Sequence, residues 1–87
     1  MKTYKVNLTK STIGTDILWT GSIILVKDGF SSREFIARQS RKLAEEDIMQ
    51  EAEKLDFENT IVIFASTEDR VTSLDSLREE LNKYYIN

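Results

Sequence analysis

Residues 28–55 (DGFSSREFIARQSRKLAEEDIMQEAEKL) constrain the fold most, because they read as one long amphipathic helix that every other element has to cover. Ser31 and Glu34 stand at the spacing of a capping box, in which the Ser hydroxyl accepts from a backbone N–H and the Glu carboxylate reaches back to the cap. Phe30 and Phe35 are spaced to close a hydrophobic staple over that cap, and Gly29 supplies the preceding turn.

The interior of this stretch predicts an irregularity. Ile36, Ser40 and Leu43 fall on one helical stripe, whereas Ala44, Ile48, Ala52 and Leu55 fall on a second. The two differ by about 100°, the rotation of one residue. A π-bulge, a kink or a break near residues 43–45 would keep both on one core. Charge points the same way. Arg33, Arg38, Arg41 and Lys42 crowd the first half and Glu45, Glu46, Asp47, Glu51 and Glu53 the second, against the sense of a single macrodipole. Pairs at i, i+4 (Glu34/Arg38, Arg41/Glu45, Lys42/Glu46) favour continuity. The expectation is therefore one helix, irregular near 43–45.

The remaining segments supply the cover. In residues 2–8, Tyr4, Val6 and Leu8 alternate with Thr3, Lys5 and Asn7, the pattern of a strand with one wet face, expected at a sheet edge. Residues 9–15 have the length and polarity of a hairpin loop, with Gly14 inside it. Residues 17–27 form a long strand with a bulge or bend expected at Gly21. Ile23, Ile24, Leu25 and Val26 make it apolar on both faces, so it is placed centrally or against a partner. Residues 60–66 (TIVIFAS) are a β-branched and aromatic run typical of a buried strand. Thr72 or Ser73 caps a last helix on which Leu74, Leu77, Leu81 and Tyr84 form one stripe.

The predicted fold is α+β: a single small domain over residues 1–87, ββαβα, with a three-stranded mixed sheet in the order 1-2-3. It packs against one long irregular helix and one C-terminal helix, and the crossover between its parallel strands is right-handed. A helix of about 24 residues spans about 36 Å against about 23 Å for a seven-residue strand. One end should overhang and present its charges to a partner.

Composition narrows the chemistry. A chain of 87 residues buries roughly 60–65% of its unfolded surface, enough for one modest core. The absence of Cys and His removes disulfides, thiolate metal sites and the commonest acid/base group. No Gly-rich phosphate loop or Gly-flanked Ser elbow is present, so neither cofactor, metal nor catalytic machinery is indicated. An enzyme reading would need two carboxylates held out of water. No apolar run nears the ~20 residues of a membrane span, and the expected location is the cytoplasm. The net charge of −3 is unevenly distributed, residues 44–59 carrying seven acids and one base.

That segment supplies the leading candidate site. Glu45, Glu46, Asp47, Glu51, Glu53, Asp56 and Glu58 could dock on a basic surface of another protein, imitating a nucleic-acid backbone. The corresponding function is a non-catalytic protein-binding module, an acidic inhibitor or modulator of a nucleic-acid-handling protein of the mobile-element type. The alternative is nucleic-acid binding through Arg33, Arg38, Arg41 and Lys42, in a homodimer that presents two such patches. Trp19, the only Trp, and Tyr85 are candidate interface anchors, with a core position the plainer reading of Trp19.

Overall fold

The computed structural model describes residues 2–26, the backbone of 31–34, and residues 37–83. The chain runs β1 (Lys2–Ile13), β2 (Asp16–Val26), β3 (Ser31–Glu34), α1 (Arg41–Ala52), β4 (Thr60–Phe64), β5 (Arg70–Val71) and α2 (Leu74–Lys83). The α+β class holds, but the sheet has five strands, the last of two residues, in the order β3-β2-β1-β4-β5. β1 and β4 are parallel and the other pairs antiparallel.

The largest departure from expectation is at residues 31–40. Ser31–Glu34 is a strand paired with Leu25–Ser22, so these residues are extended and cannot make the helical turn that a capping box closes. Arg38 exchanges both backbone hydrogen bonds with Trp19, each at 2.7 Å. The helix starts only at Arg41. Ser40 is its N-cap and accepts from the Leu43 N–H at 3.4 Å. The physical reason lies in the two stripes. Ala44, Ile48 and Ala52 are fully buried while Leu43 is 42% exposed, so only the second stripe is a helix face. A correctly spaced local cap gives way to an open β2 edge, because tertiary pairing outweighs local propensity. The staple residues Phe30 and Phe35, with Gly29, lie outside the described residues.

β1 is central rather than an edge. It alternates because the described helices cover one face of the sheet only, so a central strand here also has a wet side. The expected loop at 9–15 is instead mostly strand, since the β1–β2 register runs unbroken from Thr3↔Val26 to Ile13↔Asp16. Gly14 and Thr15 make the turn, with Gly14 at φ +62° and no positive φ at Thr15, the pattern of a type II′ hairpin. The same register passes through Gly21 without a bulge. Gly21 is buried, paired with Leu8, on the strand that α1 packs against.

α1 has 12 residues and spans about 18 Å, so it does not overhang. The element that projects is the β1–β2 hairpin, exposed throughout residues 9–17. β4 stops opposite Val6, and beyond it β1 keeps only β2.

Both helices lie on one face. Val6, Leu8, Ile23, Val62, Phe64 and Val71 from the sheet meet Ala44, Ile48 and Ala52 of α1 and Leu77 and Leu81 of α2 in a single core. α2 follows its sequence prediction closely. Ser73 Oγ accepts from the Ser76 N–H at 3.1 Å, and Ser76 Oγ accepts from the Ser73 N–H at 3.1 Å, a reciprocal cap with Ser in the place of Glu. Asp75 in the first turn and Lys83 in the last suit the dipole. Tyr84 lies outside the described residues.

Candidate functional site

Three places hold the side chains singled out by sequence: the Trp19 corner, the acidic segment, and the uncovered face of the sheet. The Trp19 corner forms because β2 carries the indole to the helix-covered face and the Arg38 bridge brings the chain back beside it. Trp19 is half-buried against the core, with Lys10 Nζ 5.7 Å and Arg41 Cζ 5.6 Å from its ring centroid. It is thus a half-buried residue with two cations near its ring.

Two members of the basic cluster, Arg38 and Arg41, are engaged within the chain. Arg38 makes a two-pronged ion pair with Asp47, Nε to Oδ2 at 2.9 Å and Nη2 to Oδ1 at 3.1 Å. That hydrogen bond and the Asp47 charge hold the guanidinium pKa above its ordinary value. Arg41 Nε lies 3.0 Å from Glu45 Oε1, and its Nη2 donates to the Leu81 carbonyl, which ties the start of α1 to the end of α2. Lys42 is exposed and lines a cleft of about 450 Å³ with Ser40, Arg41, Glu45, Glu46 and Arg78. The backbone of Arg33 pairs with Ile23. Tyr85 lies outside the described residues.

The same pairing divides the acidic segment. Asp47 and Glu45 answer Arg38 and Arg41, and Glu51 lies 3.4 Å from Lys54. Asp56 organises the turn into β4. Its Oδ1 accepts from the N–H groups of Glu58 at 3.2 Å and Asn59 at 3.3 Å, and its Oδ2 accepts from Asn59 Nδ2 at 2.7 Å. The Asn59 amide is the main influence lowering its pKa; desolvation opposes it, and the two backbone donors each add a smaller lowering. Glu46, Glu53 and Glu58 stay exposed.

Family models, curated proteins and solved structures give no match to this chain.

The face of the sheet away from the helices carries Thr3, Lys5 and Asn7 of β1, Leu18, Thr20, Ser22, Ile24 and Val26 of β2, and Ile61 and Ile63 of β4. These positions follow from the cross-strand register. Lys5 has Ile63 on one side and Ile24 on the other, and Thr3 has Ile61 and Val26. No described helix lies over this face. It also looks away from α1, so the exposed carboxylates of α1 and this apolar patch occupy opposite sides of the domain.

Sequence reading missed Glu80. The Glu79–Glu80 doublet does not say which carboxylate turns inward, yet Glu80 is 4% exposed beside the core residue Leu81. Its Oε1 accepts from Thr67 Oγ1 at 3.3 Å, and its Oε2 lies 3.6 Å from Lys83 Nζ. The Asp69 carboxyl faces it but is 57% exposed. Only one of the two acids is held out of water, half of what a carboxylate-pair enzyme requires. Among the described residues no group of three or more acids is placed to hold a metal ion, and no described helix is long and apolar enough to cross a membrane.

Proposed function

We propose that this domain is a non-catalytic protein-binding module that docks through the uncovered face of its sheet. The observation that carries the reading is the apolar patch there. A sheet with one face solvated ordinarily alternates apolar-in and polar-out, yet Ile24, Val26, Ile61 and Ile63 lie outward around Thr3 and Lys5. Contiguous apolar surface of this kind marks interaction sites.

Glu46, Glu53 and Glu58, on other parts of the surface, act at long range. Exposed at the surface, they favour encounter with a basic protein and raise the association rate without entering the contact. A modulator or inhibitor of a nucleic-acid-handling protein is the form that this combination takes. Direct nucleic-acid binding is the weaker reading, since Arg38 and Arg41 already hold carboxylates.

The test is capture from a host lysate after nuclease treatment, followed by affinity measurement on the protein retained. The expected result is that Ile24→Lys with Ile63→Lys abolishes capture. Glu46→Lys, Glu53→Lys and Glu58→Lys together should slow association and flatten its salt dependence. Capture unchanged by the isoleucine pair overturns the docking face. A stable dimer of the purified chain that the same pair dissociates assigns the face to a second copy instead.

A further inference from the structure

Among the described residues Glu80 is the charged side chain held most fully out of water, and the proposed docking face does not involve it. It projects from α2 into the junction with the turn that links β4 to β5. That turn is tightly built. The Phe64 N–H donates to the Asp69 carbonyl at 2.9 Å, the Glu68 N–H to the Phe64 carbonyl at 2.7 Å, and the Asp69 N–H to Thr67 Oγ1 at 3.2 Å. Glu68 sits at φ 60°, a left-handed conformation that is unfavourable for a non-glycine residue. The turn therefore holds a fixed shape beneath α2, with Thr67 and Asp69 both directed at Glu80.

The charges around Glu80 do not balance when every acid is ionised. From the turn comes Asp69; from β5 comes Arg70; from α2 itself come Glu79 and Lys83, with Ser76 beside them, and together with Glu80 these line a cleft of about 290 Å³. Lys83 Nζ stands 4.0 Å from Asp69 Oδ2 and 3.6 Å from Glu80 Oε2, so one ammonium serves two carboxyl groups. Glu80 Oε2 is buried and accepts no hydrogen bond. An ionised carboxylate oxygen in that position lacks the donors it had in water, which is costly. A protonated carboxyl that donates to Asp69 relieves both faults, removing one charge and satisfying the facing pair.

We propose that Glu80 and Asp69 form a proton-operated latch between α2 and the β4–β5 turn, closed when the pair holds one proton and loosened when that proton leaves. Closed, the carboxyl–carboxylate bond clamps the C-terminal half of α2 over the turn. Open, two carboxylates repel across the junction with Lys83 as their shared counter-ion. The last turns of α2 then gain freedom, and with them the Arg41 contact to the Leu81 carbonyl at the start of α1. Burial first, then the facing Asp69, push the Glu80 carboxyl above its ordinary value, while Lys83 and Thr67 oppose them; this moves the opening toward neutral pH.

Amide hydrogen exchange between pH 4.5 and 8, normalised to the intrinsic rate at each pH, tests the latch together with carboxyl-carbon NMR of Glu80. The expected result is that protection at residues 77–81 falls as pH rises through the Glu80 midpoint, by roughly tenfold for each unit separating that midpoint from an ordinary Glu. Glu80→Gln, which keeps a donor to Asp69 at every pH, should show flat protection, and Asp69→Asn, which leaves Glu80 buried but removes the facing charge, should weaken the pH dependence. Flat protection in the wild type overturns the latch. So does a pH dependence that survives in both variants, or a Glu80 carbon that titrates with the exposed glutamates.

Discussion

The two helices sit on the same face of the same sheet and are held there by different means. α2 docks through leucines, with Leu77 and Leu81 buried and Leu74 half-buried at their rim, and a reciprocal serine cap defines its start. α1 has a thin apolar face of Ala44, Ile48 and Ala52, and its position depends as much on Arg38–Asp47 and on Arg41, which reaches Glu45, Leu81 and the Trp19 ring. The difference teaches that a helix with little to bury can still be placed accurately when charged side chains tie it to its neighbours. Such a helix is also sensitive to salt in a way that a leucine-docked one is not.

The contrast can be broken hardest in the core. Leu77→Ala removes a fully buried side chain and should cost about 2–5 kcal/mol in urea unfolding. On α1 the buried residues are mostly alanines, so the equivalent insult is overpacking: Ala44→Leu should cost about 1–3 kcal/mol. If Ala44→Leu is neutral, α1 is looser on the sheet than its full burial implies.

The ionic side of the comparison is sharpened by a double-mutant cycle of Arg38→Ala and Asp47→Ala. The pair is partly exposed, so its coupling should be small but measurable in low salt and should shrink in 1 M NaCl. A coupling indifferent to salt would mean that backbone pairing with Trp19, not charge, fixes this corner.

On α2, Glu80→Gln gives the opposite sign. Because the folded-state pKa of Glu80 is raised, its stability contribution is full below the unfolded value of about 4.3 and is lost as pH rises through the folded one. The variant should match the wild type near pH 4 and melt a few degrees higher at pH 7.5, given roughly 4–8 °C per kcal/mol for a domain of this size. The smallest expected effect concerns the two serines that begin a helix signal. Ser40→Ala should cost about 0.5–1 kcal/mol as the loss of a working N-cap, and Ser31→Ala should stay within about 0.5 kcal/mol.

Those two serines also show where sequence reading succeeds and where it stops. The capping-box spacing at Ser31 and Glu34 is real, but a cap only permits a helix, and no apolar stripe follows it in phase. The stripe that is in phase, Ala44–Ile48–Ala52, starts after Ser40, and the misplaced charges before it already signalled a boundary. Likewise the acidic run was legible as a run, but not its division into Asp47, Glu45, Glu51 and Asp56, whose carboxylates make ion pairs or hydrogen bonds within the chain, and the exposed Glu46, Glu53 and Glu58. Partners such as Arg38 and Asp47 meet only because the chain turns between them.

By itself the sequence determined the elements whose apolar residues stand out by period or by an unbroken run: β1, β2, β4 and α2, and the second half of the long stretch that became α1. Periodicity is local, and burial of one face is sufficient to set it. Tertiary structure alone decided strand order, the capture of Ser31–Glu34 by β2, the projecting hairpin and the inward turn of Glu80. Each depends on which edge is open, or which neighbour arrives from more than ten residues away. An unpaired strand edge or a buried carboxylate has an energy only once the rest of the fold surrounds it.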